Sequence, residues 1–104
     1  MEIKPSIETT TGSPICVVMA YNENYKKLGE YTSSVNQDYC RFRGYNFRLY
    51  TEGFDESRPA SWSKLLFVKD ALKNYEFVFW IDTDAVFTNK SLSIERFIQK
   101  GGNI

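Results

Sequence analysis

Two carboxylates, Asp82 and Asp84, stand one residue apart directly after an apolar run at residues 77–81. This run predicts a strand that is buried on both faces. In an extended chain, residues i and i+2 project to the same side, so both carboxylates can face one point. Two negative charges at so short a separation repel each other. The pattern therefore favours a divalent cation carrying a phosphate-containing ligand. The same residues also allow a solvated acidic turn after a core strand.

Three segments predict the strands of the domain. Residues 15–20 have the composition of a central parallel strand, residues 45–50 alternate like a second strand, and residues 77–81 form the third. A short extended piece is expected at 85–87.

Two helices are expected between these strands, and a third after them. The first runs to about Arg43, where Gly44 can stop it. The second covers 62–74 with Ser61 as N-cap, and the last covers 93–100. The apolar positions expected to face the core are Tyr25, Leu28, Tyr31, Val35, Tyr39 and Phe42 in the first helix, and Trp62, Leu65, Leu66, Phe67, Val68, Ala71 and Leu72 in the second. Trp80 is also expected in the core.

The order strand, helix, strand, helix, strand predicts an α/β fold, a parallel sheet flanked by helices. If the first strand lies between the other two, chain direction reverses beside it. Residues 19–22 and 82–84 then flank one crevice at the carboxyl ends of the strands. We therefore expect Ala20, Tyr21 and Asn22 at this site, where the Tyr21 ring could stack on a base.

Composition limits the class of partner. The 104 residues include thirteen basic and thirteen acidic residues, so no net charge suggests a nucleic-acid or membrane-surface partner. The sequence contains no histidine, the commonest general base. Cys16 and Cys40 show neither a disulfide pattern nor metal-ligand spacing, and we expect two free thiols in a reducing compartment.

Residues 1–13 are expected to form a flexible N-terminal segment without the apolar core of a signal peptide. No stretch has the length of a transmembrane helix. These features predict a cytoplasmic protein, or one in the Golgi lumen if the chain derives from an anchored parent.

Residues 61–89, S-W-S-K-L-L-F-V-K-D-A-L-K-N-Y-E-F-V-F-W-I-D-T-D-A-V-F-T-N, resemble the galactosyl-, mannosyl- and xylosyltransferase family of nucleotide-sugar enzymes with the GT-A fold. In that family a Trp-x-Lys opens the helix, and the next strand ends in W-I-D-x-D-A. The segment D-Y-C-R-F-R-G-Y-N-F-R-L-Y at 38–50 is similar to the family's passage from helix to strand. Residues 15–22 match the first strand of the family only in general character.

This resemblance implies a Rossmann-like donor-binding half that takes part in transfer of a hexose-type sugar from a nucleoside diphosphate sugar. A bound Mn²⁺ or Mg²⁺ would neutralise the diphosphate leaving group. By analogy Asp84 coordinates the metal, and Asp82 contacts the ribose or shares the ion. Thr83 offers a hydrogen bond, and Lys64 reaches the nucleotide or diphosphate, although it could also be an exposed surface lysine.

The resemblance also leaves choices open. A UDP-sugar is favoured over a GDP-sugar, the family precedent is a retaining transfer, and the acceptor could be a glycan, a lipid or a protein. The family's acceptor half and its histidine metal ligand have no counterpart in these residues. We therefore expect residues 14–104 to be the donor-binding portion of a longer enzyme, and we name no catalytic residue.

Three other functions fit parts of the pattern. A non-catalytic module could bind nucleotide and metal without turnover. A phosphatase of the haloacid-dehalogenase type also ends a strand on D-x-D, although its pair usually lies near the N-terminus with Gly-Thr after it. A purely structural α/β domain would use the Asp pair only as a turn.

Overall fold

The computed structural model describes residues 3–91 and 93–96, which form a four-stranded mixed sheet with a helix on each face. The strands are β1 (Ile7–Thr9), β2 (Ile15–Ala20), β3 (Asn46–Tyr50) and β4 (Phe77–Trp80). The helices are α1 (Lys26–Arg43) and α2 (Ala60–Leu72), and a single 3₁₀ turn at Glu23–Tyr25 precedes α1.

β2 is the central strand, and all six of its residues are buried. Successive side chains of a strand point to opposite faces. Ile15, Val17 and Met19 therefore pack in one core with Tyr39 of α1, whereas Cys16 and Val18 pack in a second core with Phe67 of α2. The sequence prediction of a central strand buried on both faces is confirmed for β2.

The strand order is β1-β3-β2-β4, so β2 lies between β3 and β4 and runs parallel to both. This confirms that the first predicted strand separates the other two. The helices that join these strands consequently lie on opposite faces of the sheet. The carboxyl ends of β2 and β4 meet at the same edge.

The prediction of a parallel sheet is wrong, because β1 pairs antiparallel with β3. Ile7 lies opposite Leu49 in this pairing, within a segment that the sequence analysis assigned to a flexible lead-in. Apolar periodicity could not reveal so short a strand. It is held partly by Glu8, which accepts a hydrogen bond from the nearly buried Arg48.

β4 is not buried on both faces as predicted. Phe77 is exposed and the next three residues are half-buried. The reason is its place in the sheet: within the described residues β4 pairs only with β2, so its other edge has no neighbouring strand. The ladder continues one residue further, because the Ile81 N–H donates to the Val18 carbonyl at 3.0 Å.

The buried faces of both helices agree with the prediction only in part: Tyr39 of α1 and Phe67 and Ala71 of α2 are buried as expected. The α1 residues that face the sheet are mostly small or polar, namely Gly29, Thr32, Ser33, Asn36, Tyr39 and Cys40. The expected core positions Tyr25, Leu28, Tyr31 and Phe42 are exposed, as are Trp62, Leu65 and Leu72 of α2. Small residues let α1 approach the sheet closely, and a neighbouring stripe of larger side chains is left outside.

Helix ends agree with the prediction where the sequence carries a strong signal. Gly44 ends α1 in the left-handed conformation, with φ of 79°, and its N–H donates to the Cys40 carbonyl. Ser61 is not the N-cap of α2, which begins after Pro59 without a side-chain cap.

Two further predicted elements lie at the C-terminal end. Residues 85–87 join no sheet, and the helix predicted over 93–100 lies outside the described residues from 97 onward.

Both cysteines are buried free thiols, as predicted. Burial raises the pKa of each thiol to about 12, so neither is a nucleophile at neutral pH.

Within the described part of the chain, no helix combines the length and the apolar character needed to cross a membrane.

Candidate functional site

The ends of β2 and β4 are joined by hydrogen bonds. The Thr83 hydroxyl donates to the Ala20 carbonyl at 2.7 Å, which ties the segment after β4 to the last residue of β2. The Tyr21 N–H donates to the Tyr50 carbonyl at 3.1 Å, so the exit from β2 also stays attached to β3. The hydroxyl proton of Thr83, expected to serve a ligand, is used within the protein.

A crevice of about 160 Å³ lies where these strands end. Its walls are formed by Ala20, Tyr21, Asn22, Tyr25, Phe54, Lys64, Phe67, Trp80 and Thr83. Five of the seven residues predicted for the site are among them. The volume is smaller than the roughly 300–1,000 Å³ of pockets that enclose a whole ligand. It is too small to enclose a whole ligand, so only part of a ligand could enter it.

Tyr21 is placed by a glycine of α1. A Cβ on Gly29 would collide with the Tyr21 ring, so the absence of a side chain lets this ring lie against the helix. The ring packs against the core on the α1 side of the sheet. Burial, with a further contribution from Glu30, raises the pKa of the Tyr21 hydroxyl, which therefore stays neutral at physiological pH. Tyr21 is also one of the residues that line the crevice.

Lys64 and Asp82 are linked by one indole ring. The Lys64 ammonium lies 5.4 Å from the centre of the Trp80 ring, in cation–π geometry. The Trp80 Nε1–H donates to Asp82 Oδ1 at 2.7 Å. Trp80 is half-buried and packs against the core on the α2 side, as predicted, and it also lines the crevice.

The Asp pair lies in a turn. The Ala85 N–H donates to the Asp82 carbonyl at 3.0 Å, which closes a turn over residues 82–85. Our assumption of an extended chain here is therefore wrong, and the i, i+2 argument cannot orient the two carboxylates. Both residues are exposed, and neither Asp82 nor Asp84 is part of the crevice wall, although Thr83 between them is.

The chemistry of this pair nevertheless fits a cation that arrives with a diphosphate. Magnesium in nucleotide sites is commonly held by one or two carboxylates together with substrate phosphates. Among residues 3–91 and 93–96, no three His, Cys, Asp or Glu side chains are grouped so as to hold a metal ion on their own. Phosphate oxygens from a ligand would have to complete such a site.

Asn36, a residue that sequence reasoning missed, holds the segment that follows the pair. It is fully buried in α1. Its side-chain amide donates to the Ala85 carbonyl at 3.0 Å and accepts from the Phe87 N–H at 2.9 Å. The Phe87 ring stacks on Tyr39 with 3.9 Å between ring centres. A polar residue inside the helical pattern was the only sequence signal for this role.

The crevice also contains aromatic residues that the sequence analysis did not assign to it. Tyr25 lies in the 3₁₀ turn after β2, and Phe54 lies in the loop before α2, edge-on to Phe67 at 5.1 Å. An isolated aromatic beside Gly53 in a polar loop was the available signal for Phe54. Asn22 is at the predicted place, although its side-chain oxygen already accepts from the Asn24 N–H at 3.0 Å.

Comparison with known proteins assigns the chain to a family. The model of the galactosyl transferase GMA12/MNN10 family matches residues 12–103, which is most of the sequence. The chain belongs to the GMA12/MNN10 family. The family assignment agrees with the resemblance seen at residues 61–89, and it favours sugar transfer over the phosphatase alternative.

One curated relative of this GMA12/MNN10 chain is an uncharacterized alpha-1,2-galactosyltransferase of Schizosaccharomyces pombe. It is 29% identical over 91 residues, which cover 78% of this chain and 24% of the relative. The chain thus spans about a quarter of the length of that protein. No solved structure matches the chain.

Proposed function

We propose that this chain carries the donor site of a metal-dependent glycosyltransferase with a GT-A-type, Rossmann-like fold. The observation that carries the proposal is the crevice where β2 and β4 end, in a member of a galactosyl transferase family. It combines an aromatic wall, a lysine and an adjacent acidic pair. These are the groups that a base, a diphosphate and a divalent cation require.

Each predicted residue receives a role in this proposal. The base packs beside Tyr21 at the exit from β2, with Ala20 and Asn22 forming the adjacent wall. Lys64 provides positive charge for the diphosphate. Asp82 and Asp84 hold Mn²⁺ or Mg²⁺, which when bound stabilises negative charge on the leaving diphosphate. Thr83 keeps the acidic turn against β2.

The donor we propose is a nucleoside diphosphate hexose, with UDP favoured over GDP. Because the Schizosaccharomyces pombe relative is named a galactosyltransferase, UDP-galactose is the first sugar to test. Retention of configuration and a glycan, lipid or protein acceptor are part of the same proposal. A module that binds the donor without turning it over is the second candidate, since the chain spans about a quarter of that relative.

Thermal unfolding with UDP, GDP and their sugars, with and without Mn²⁺, tests this proposal. A ligand at a hundred times its dissociation constant stabilises a protein by about 2.7 kcal/mol, which corresponds to a rise in Tm on the order of ten degrees. We expect such a rise only with a metal and one nucleotide together. It should disappear in Asp84→Asn and persist in Asp38→Asn, a matched change on the exposed surface of α1.

Two results would contradict the proposal. Folded protein whose Tm responds to no nucleotide has no donor site, and hydrolysis of a generic phosphate ester would support the phosphatase alternative. Release of UDP from UDP-galactose, measured on the same preparation, separates an enzyme from a binding module.

A further inference from the structure

Trp80 occupies the junction between the core and the proposed donor site. It is the last residue of β4, and its ring packs against the buried cluster on the α2 side of the sheet. The same ring forms part of the crevice wall. One face of the indole therefore belongs to the packed interior, and its polar edge reaches the site.

The polar edge of this indole is committed to a carboxylate. The indole N–H donates to Asp82 Oδ1 at 2.7 Å, in a hydrogen bond that lies at the exposed edge of the ring. A hydrogen bond to an ionised acceptor is shorter and stronger than a neutral one. The carboxylate keeps acceptor capacity on its second oxygen. The bond thus restricts rotation of the Asp82 side chain and leaves its second carboxylate oxygen available to a ligand.

The Trp80 ring also contacts the positively charged side chain of the crevice, Lys64. Lys64 Nζ lies over it at 5.4 Å from the centroid, and Lys64 itself is exposed on α2. A long lysine side chain loses considerable rotamer freedom when it is ordered. An aromatic face that already holds the lysine in the ligand-free protein lowers the entropy lost when a ligand binds.

We propose that Trp80 is a positioning residue for the donor: its indole N–H fixes the Asp82 carboxylate in the orientation that receives the cation–diphosphate unit. This inference rests on the proposed function. It assigns the tryptophan a role that follows from its position two residues before Asp82. Groups that orient a metal-binding carboxylate are typically worth about 10- to 100-fold in metal affinity.

Trp80→Phe tests the role, since it removes the indole N–H while a smaller aromatic ring stays near Lys64. We expect Mn²⁺ binding in the presence of UDP to weaken by about tenfold or more. Trp62→Phe is the matched control, because Trp62 lies on the exposed side of α2 against Arg58. That control should bind like the unchanged protein.

A double-mutant cycle separates positioning from a general loss of structure. If Trp80 acts through Asp82, the combined variant Trp80→Phe with Asp82→Ala should bind no more weakly than Asp82→Ala alone. Equal binding by Trp80→Phe and the unchanged protein would overturn the inference. So would a Trp80→Phe effect that adds in full to that of Asp82→Ala.

A measurement without ligand covers the case in which Trp80→Phe does not fold. The indole N–H of Trp80 should exchange slowly with solvent in the unchanged protein and faster in Asp82→Ala, with the Trp62 indole as internal reference. Exchange that Asp82→Ala leaves unaltered would overturn the inference. If the unchanged protein binds no nucleotide, the proposed function fails and this inference fails with it. If it binds and Trp80→Phe binds equally, only the inference fails.

Discussion

Asn36 shows how one buried amide can set the position of a functional turn. It lies in α1, yet its side chain bonds to two backbone groups, the Ala85 carbonyl and the Phe87 N–H, that follow the Asp pair in sequence. The amide also contacts the sulfur of Met19 in β2. The turn over residues 82–85 is thereby held against α1 and the sheet.

Asn36→Ala should destabilise the protein by about 2–6 kcal/mol, because it leaves a backbone N–H and a backbone carbonyl without partners at about 1–3 kcal/mol each. Urea unfolding at neutral pH measures this loss. Ser34→Ala on the exposed side of the same helix is the control and should change stability by less than about 0.5 kcal/mol. Equal stability of the two variants would mean that water replaces Asn36.

At the scale of residues, the sequence predicted which segments lie together better than it predicted how their side chains are oriented. The apolar run placed Asp82 and Asp84 after the end of a strand, and the strand order brought Tyr21 to the crevice that adjoins their turn at Thr83. The turn depends on hydrogen bonds from distant residues, Asn36 and Thr83 among them. Local periodicity carries no information about such contacts. The places of Trp80 and Phe54 in the crevice wall were missed for the same reason.

At the scale of elements, the short strand β1 depends on an ion pair. Arg48 of β3 is nearly buried, and its guanidinium donates to Glu8 of β1, to Asp70 of α2 at 3.4 Å and to Asn74 at 2.9 Å. Burial raises the pKa of Glu8, but hydrogen bonds from Arg48 and Tyr75 outweigh it, so this pKa lies below its ordinary value. The ionised carboxylate is thus the form that favours folding.

Glu8→Gln should therefore cost about 1 kcal/mol at pH 7, a value reduced for the partial exposure of Glu8. The lowered pKa gives a stabilisation that is fully present above the ordinary value of 4.5 and is lost as pH falls below it. The difference between the two proteins should shrink over that acid range. Urea unfolding at several pH values measures it, with Glu52→Gln as an exposed control.

Two results would contradict this account of β1. Equal stability of Glu8→Gln and the unchanged protein at pH 7 would show that the ion pair contributes nothing. A stability difference that persists undiminished in acid would show that the substitution acts by some other route than charge.

Elements were predicted more accurately than the faces they bury. The two described helices and the strands β2, β3 and β4 lie close to their predicted bounds, because long apolar patterns and Gly44 are strong signals. The apolar stripe of α1 misled the assignment of its buried face. Gly29 and Asn36 face the sheet instead, since close approach of a helix depends on small side chains that hydrophobicity does not highlight.

At the scale of the whole molecule, the order of the strands produces the site. Because β2 lies between β3 and β4, α1 and α2 leave on opposite faces, and a crevice forms where β2 and β4 end. The sequence analysis reached this arrangement on the condition that β2 lies between the other two predicted strands, and the structure meets that condition. It could not predict that β1 adds antiparallel to the sheet, because this pairing consists of only three residue pairs with β3.

Paramagnetic broadening by Mn²⁺ in the amide NMR spectrum tests the proposed donor site most directly. With UDP present, substoichiometric Mn²⁺ should first broaden the amides of Tyr21, Asn22 and residues 82–85. Without UDP the effect should be weak, because two carboxylates alone do not complete a metal site. Mg²⁺ serves as the diamagnetic control, and Asp84→Asn should abolish the effect. Broadening that begins at another acidic segment such as residues 52–56, or that does not depend on UDP, would contradict the account.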